Sequence, residues 1–387
     1  MRRALSVPWL CVVSFLSTIP QTVHAQTTTL VFDHVSVLPM TGQSRLTNQT
    51  VVLANGRVQA IGPAGRVAVP AHAQHIDGRG RTLLPGLWDS HVHVLTSGDS
   101  GVSLVERAEH LFFPGYIANG VTTVLDLGAP HDGLKTLRSG LREPSLVGPR
   151  LFSVGQLLGG RNPYAPGVPW NREVKDSIDA VRAVDSLRAF GVDLIKVHDF
   201  LPRAAWVAIT TKAQEYGLRV TGHLSPSVSV GDAMAAGQRS IQHIGPELLA
   251  ICTDSSKARV AAFYAAWVRG GPATFADGSV ALWRDRATSS CDQVLRDFAA
   301  RGLTITPTMI HRFVDRAAAR AADGVQSRSA RTQCAADARY WTDVPEGTIA
   351  RYRETIQEFV RTVHAAGVRI VAGTDGPHSC LPAGTAL

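Results

Sequence analysis

The chain has 387 residues, 45% hydrophobic and 18% charged, which is enough apolar material for a sizeable core, so disorder is not the default. Its formal charge of +8 comes from scattered arginines mixed with acids. There is no basic run, and aromatic residues make up only 6%, so the composition argues against a nucleic-acid partner.

The N-terminus reads as an export signal. Arg2-Arg3 is a positive n-region, Val7 to Ile19 an apolar h-region, and Val23-His24-Ala25 a small-residue cleavage site. The alternative is a membrane anchor, but a span needs roughly 20 apolar residues, and this shorter run contains Pro8. Residues 1–25 are therefore expected to leave. Loss of Arg2 and Arg3 lowers the charge from +8 to +6. The mature protein is expected to be exported, periplasmic or secreted, with no later membrane span.

Residues 26–82 carry β-branched or alternating runs at 30–32, 35–38, 50–53 and 58–61. Asn55-Gly56 stands between the last two as a two-residue hairpin signal. This segment is expected to form the N-terminal part of a small β-sandwich domain. From residue 83 to 387 the texture changes to apolar strand-like runs alternating with helical periods. Candidate strands are 83–94, 122–127, 151–154, 194–197, 219–223, 240–243, 303–307 and 369–375; candidate helices include 176–190, 204–216, 291–301 and 348–366. Gly120, Gly191, Gly217, Gly302 and Gly367 mark helix ends. Eight such alternations with fully apolar strands predict an α/β fold, a (β/α)8 TIM-like barrel. A doubly wound sheet is the alternative, but no glycine-rich phosphate loop follows the first strand. The stretch 250–290 is too long for a barrel loop and reads as an insertion over the barrel face.

Cys11 leaves with the signal, so Cys252, Cys291, Cys334 and Cys380 remain. In an oxidising compartment they allow three pairings. Chain proximity favours Cys252 with Cys291, and a shared barrel face favours Cys334 with Cys380. Free buried thiols are the alternative.

The residues able to carry chemistry fall in one pattern. His91 and His93, two apart on the first barrel strand, share a face and can reach one metal. Alone, such a pair is equally read as two ordinary histidines. Lys196 lies inside an apolar strand, where an ammonium is costly to bury. His223, His243 and Asp375 each close a different predicted strand, at the end where barrel enzymes assemble their sites. His198, two residues after Lys196, and His378, beyond the last strand, are weaker substrate-binding candidates. His110, His131, His311 and His364 read as surface or helix residues, and Asp89 and Asp126 as structural hydrogen-bonding acids.

This combination resembles the amidohydrolase superfamily, most closely its exported, imidazolonepropionase-like and prolidase-like members. The resemblance runs over about residues 28–387. Its marks are Leu84-Pro85-Gly86-Leu87-Trp88-Asp89-Ser90-His91-Val92-His93, Gly120-Val121-Thr122-Thr123-Val124, Leu194-Ile195-Lys196-Val197, Gly222-His223, Gln242-His243-Ile244-Gly245 and Ala372-Gly373-Thr374-Asp375. It implies two divalent metal ions, with His91, His93 and Asp375 on one and His223 and His243 on the other. Lys196, carboxylated on its amine, would bridge them. A single-metal site with unmodified Lys196 is the alternative. Zinc fits the nitrogen and oxygen donors, while manganese, iron and cobalt stay open.

The implied activity is hydrolysis of an amide-type carbon–nitrogen bond by a metal-bound hydroxide, with Asp375 as proton shuttle. The expected substrate is a small amide or dipeptide-like molecule, and the oligomeric state is left open. Two alternatives remain: an esterase or lactonase at the same kind of site, and a catalytically inactive exported metal-binding barrel. Many relatives carry a Gly-Gly-His run after the third strand. Here the loop reads Gly155-Gln156-Leu157-Leu158-Gly159-Gly160-Arg161-Asn162-Pro163-Tyr164, so their substrates do not transfer directly. Relatives also continue past this point, so the sequence is expected to lack a final helix and C-terminal sandwich strands, as a barrel cut short after strand eight.

Overall fold

The computed structural model describes residues 29–96, 104–143, 146–161, 168–253, 256–286, 288–310, 344–377 and 383–385. The expected signal at 1–25, His378, and the expected Cys334–Cys380 bond lie outside the described residues. The chain divides into two compact units, residues 1–85 and 86–387.

The described part of the first unit is one sheet. Strands β1 (Leu30–Val37), β2 (Leu46–Ala54) and β3 (Arg57–Pro63) are antiparallel, while β4 (Gln74–Asp77) and β5 (Thr82–Leu83) pair parallel with β1. The runs at 30–32 and 35–38 belong to a single strand whose register shifts between Phe32 and Val35. His34, with φ of 56°, sits in that irregularity. Asn55 and Gly56 turn β2 into β3 with φ of 52° and 68°, a geometry that matches strand twist. Val35, Val37 and Val51 form the buried centre, with Phe32, Leu53 and Leu83 packed on them.

The second unit is mixed α/β with parallel sheets. Strands β6 (Leu87–Val92), β7 (Val121–Asp126) and β8 (Arg150–Ser153) form one. The other has the order β10-β9-β11-β12-β13-β14-β15. Its strands are β9 (Leu157–Gly159), β10 (Asn171–Glu173), β11 (Ile195–Val197), β12 (Val220–Gly222), β13 (Ser240–Gln242), β14 (Thr304–Thr306) and β15 (Arg369–Ile370). Backbone bonds link the two: Asp193 N donates to Ser153 O at 2.9 Å, Ser90 N to Ala372 O at 3.0 Å, and Asp375 N to His91 O at 2.8 Å. Several strands are shorter than the sequence suggested. The run at 83–94 divides between β5 and β6, and regular pairing of 369–375 stops at Ile370. Asp375, with φ of 62°, leaves extended geometry, so its segment is held by single bonds to β6 rather than by a ladder. The short strands β9 and β10, in the loop after β8, were not anticipated.

Helices α1 (Leu104–Arg107), α2 (Phe113–Ala118), α3 (His131–Gly140), α4 (Ser177–Phe190), α5 (Arg203–Glu215), α6 (Val230–Ala235), α7 (Pro246–Leu249), α8 (Ser256–Arg284), α9 (Thr288–Ala300) and α10 (Glu346–Ala365) alternate with these strands. In α4 the local reasons are plain. Asp176 caps it by accepting from the N–H groups of Ile178 and Asp179 at 2.9 and 2.8 Å. Ala180, Ala183, Val184 and Leu187 repeat on one buried face, and Gly191 ends the helix at φ 85°. The main core sets Ile195, Val197, Ile241 and Ile305 of the strands against Val184, Trp206, Ile209 and Phe359 of α4, α5 and α10. Parallel pairing then brings the C-terminal ends of β11 to β14 to one edge.

The stretch 250–290 is mostly α8, bent where Gly271 (φ 68°) precedes Pro272. It is built into the core through Val260, Phe263, Phe275, Leu282 and Trp283. Cys252 and Cys291 are disulfide-bonded with their Cα atoms 4.9 Å apart, closing a 39-residue separation. On α7, Glu247 is buried and accepts from the Tyr264 hydroxyl at 3.0 Å; burial pushes its carboxyl up to about 8.

Two measurements check this packing. Replacing Cys252 and Cys291 by serine should lower unfolding free energy by about 2–4 kcal/mol in denaturant titration; an unchanged midpoint would contradict the structural role of the bond. The native state keeps the Glu247 proton up to about pH 8, whereas the unfolded chain releases it near the ordinary 4.5. Stability should therefore fall as pH rises through that window, and Glu247→Gln should flatten the fall in melting temperature. A variant with the wild-type slope would rule this out.

Candidate metal centre

The candidate residues gather at one edge of the second unit. His91 is on β6 and His93 just beyond it; Lys196 is on β11; His223 and His243 follow β12 and β13 directly; Asp375 lies beyond β15. His91 and Lys196 are fully buried, while His93 and Asp375 keep about one-sixth of their side-chain surface exposed (16% and 15%). The site is thus dry on its strand side and open on the other.

Three donors converge. His91 Nε2 stands 3.2 Å from His93 Nε2 and 3.1 Å from Asp375 Oδ1, and His93 Nε2 stands 3.3 Å from the same oxygen. His243 Nε2 is 4.0 Å from Asp375 Oδ2. The His243 ring lies 4.6 Å from that of His91 and 4.9 Å from that of His223. His91, His93 and Asp375 have the proximity and donor types to hold a metal ion, and so does a second group, His198, Asp199 and His223. The His223 and His243 rings are neighbours, while the donor group able to hold an ion around His223 brings in His198 and Asp199 and not His243.

The imidazoles are oriented from behind. Gln242 Nε2 donates to Thr221 Oγ1 at 2.9 Å, which turns its Oε1 toward His91 Nδ1 at 2.8 Å. An amide oxygen there requires a proton on Nδ1, so the Nε2 lone pair faces Asp375 and His93. His243 Nδ1 meets Thr308 Oγ1 at 2.6 Å, and His223 Nδ1 meets Asp199 Oδ1 at 2.9 Å. His223 Nε2 is buried with no hydrogen-bond partner among the described residues. An imidazole nitrogen left this way fits a missing cationic partner. Burial, reinforced by Lys196, pushes His91 down to about 3, and burial lowers His243 as well. Both are therefore neutral donors at ordinary pH. Burial also pushes Lys196 down to about 8.

Buried acids hold the frame. Asp89 accepts from Thr374 N at 3.0 Å, Thr374 Oγ1 at 2.7 Å and His91 N at 3.2 Å. Asp126 accepts from Val94 N and Ser153 Oγ, each at 3.0 Å. Burial raises both carboxyls to about 6. Gly373 lets the Asp375 segment approach, since a Cβ there would stand 2.9 Å from His91 Cβ and nearer still to Thr306.

His198 lies beside the site, its ring 4.1 Å from that of His223 and its Nδ1 3.8 Å from Asp199. Sequence reasoning missed Asp199 and Thr308. Asp199 stands three residues after Lys196, at the strand end already marked as functional, and that rule would have found it. Thr308 follows the strand at 303–307, one of three for which no metal-type residue was named.

No protein-family model matches the chain. The enamidase of Eubacterium barkeri is 36% identical over 83 residues, 21% of this chain and 20% of that protein. The imidazolonepropionase of Saccharopolyspora erythraea is 33% identical over 82 residues, again 21% of this chain and 20% of that protein. The match thus spans about a fifth of the length of these curated relatives. Among solved structures, a Xaa-Pro dipeptidase with methionine bound in its active site superposes with a TM-score of 0.60 at 18% identity, covering 91% of this chain and 81% of that one. That likeness speaks for the fold. The resemblance to the amidohydrolase superfamily drawn from the sequence motifs is supported by sequence relatives and fold together.

Proposed function

We propose that this protein is a metal-dependent hydrolase of carbon–nitrogen bonds, with its two parallel sheets joined in a closed (β/α)8 barrel. The observation that carries the reading is the convergence of two imidazole nitrogens and a carboxylate oxygen within 3.3 Å of one another at the strand ends. The relatives named above act on carbon–nitrogen bonds. In this reading His91, His93 and Asp375 hold one divalent cation and His223 and His243 a second. Lys196, 1% exposed, would be carboxylated on its amine and supply oxygen donors to both. Reaction with carbon dioxide forms the N–C bond, releases two protons of the ammonium to solvent, and turns a costly buried cation into an anionic oxygen donor. Zinc suits these donors.

Two such cations would supply Lewis acidity, polarising the scissile carbonyl and making water a nucleophile near neutral pH. The protein does the rest. Asp375, partly exposed beside His91 and His93, accepts the proton of the attacking water and returns it to the leaving nitrogen. Gln242 holds the proton of His91 on Nδ1, and Thr308 holds the His243 ring in place. The substrate is a small amide or dipeptide-like molecule entering on the open side. The Cys252–Cys291 bond favours an exported protein.

The test is turnover on a panel of dipeptides, N-acyl amino acids, cyclic amides and esters by the zinc-loaded full chain. Amide cleavage should vanish on chelation and return with zinc, and Asp375→Asn should lower kcat by about 10²–10⁴-fold. Cleavage that survives chelation would exclude the metal-dependent reading, and ester cleavage alone would shift the bond class. Lys196→Ala should lower bound zinc from about two equivalents toward one or none; unchanged content would remove the bridging role.

A further inference from the structure

We infer that Asp199 is a positioning residue: by accepting the Nδ1–H of His223 it fixes the ring and tautomer that leave Nε2 for the second cation. This rests on the two-cation reading proposed above. The Asp199 Oδ1 to His223 Nδ1 distance of 2.9 Å is that of a charge-assisted hydrogen bond. An ionised carboxylate has no proton to give, so the proton of this hydrogen bond sits on Nδ1, and Nε2 is the ring nitrogen left to face a cation. That atom is buried, has no partner among the described residues, and belongs to the ring 4.9 Å from His243.

The carboxylate is itself held in place. Gly160 N donates to the Asp199 carbonyl at 2.9 Å, tying it to the end of β9, and a Cβ at Gly160 would overlap the neighbouring Phe200 carbonyl. Phe200, at φ 62°, turns the chain away directly afterward. The other Asp199 oxygen is 3.8 Å from His198 Nδ1, beyond hydrogen-bonding range.

The three orienting contacts are chemically unequal. His91 rests on a neutral amide oxygen and His243 on a hydroxyl, whereas His223 alone of the three has a carboxylate behind it. An anion behind the ring makes Nε2 a stronger donor than a neutral acceptor does. The cation at His223 should therefore depend on Asp199 more than the cation at His91 depends on Gln242.

The experiment measures zinc affinity of the full-length protein by chelator competition, in wild type, Asp199→Ala and Asp199→Asn, with thermal melts as a folding control. Asp199→Ala should weaken one of two zinc ions by about 10–100-fold and leave the other unchanged. Asp199→Asn, which keeps an oxygen able to accept from Nδ1–H, should recover most of that loss. Equal, severe loss in both variants would overturn the inference in favour of direct ligation by Asp199. Wild-type affinity in Asp199→Ala would overturn it while leaving the two-cation reading intact, and absence of zinc from the wild type would overturn both. Nitrogen NMR of the wild type gives a check independent of variant folding: His223 should carry its proton on Nδ1, and a proton on Nε2 would refute the assignment.

Discussion

The Asp89 carboxylate ties the beginning of the second unit to its far end. It gathers the Thr374 amide and hydroxyl, 285 residues away in sequence, and the His91 amide on its own strand. Without that junction nothing in the regular ladder would hold the Asp375 segment beside β6, because strand pairing of β15 stops at Ile370. Thr374 also accepts from Gly376 N at 3.1 Å, so one hydroxyl serves both sides of the turn. The convergence of His91, His93 and Asp375 rests on this buried polar clamp together with the single backbone bonds to β6.

The same burial sets the charge state of the centre. Apolar strands backed by Val184, Trp206 and Phe359 keep water from the rear of the site, and that desolvation is the first cause of the lowered His91, His243 and Lys196 values. Neutral imidazoles and a basic residue that is poorly accommodated as a cation suit a site designed around metal charge. Left-handed backbone at His243 and Asp375, φ 64° and 62°, aims both side chains away from the strand direction. Such geometry in non-glycine residues persists where surrounding bonds enforce it, here Thr308 on one side and Asp89 through Thr374 on the other.

Much of this was legible in the sequence, for identifiable reasons. Period-two alternation of two histidines, a lysine inside an apolar run, and histidines closing such runs are local signals, and each of those residues was found at the same edge. The Asn55-Gly56 turn and the Asp176 and Gly191 ends of α4 were readable because one residue type meets one backbone need. What escaped was non-local. Thr308 and the opposing role of Gln242 are defined by partners 65 and 151 residues away, and no periodicity reports such pairs; Asp199, at a strand end already marked, is the exception. The stretch 250–290 read as an insertion because its length broke the barrel rhythm. Its apolar face, carrying Val260, Phe263 and Phe275, packs into the core all the same.

The most direct measurement is anomalous diffraction from crystals of the zinc-loaded protein. The expected result is an ion about 2.0–2.2 Å from His91 Nε2, His93 Nε2 and an Asp375 oxygen. A second ion is expected at His223 and His243, with density extending from Lys196 Nζ between the two. A well-ordered protein with no ion among His91, His93 and Asp375 would contradict the metal-dependent account.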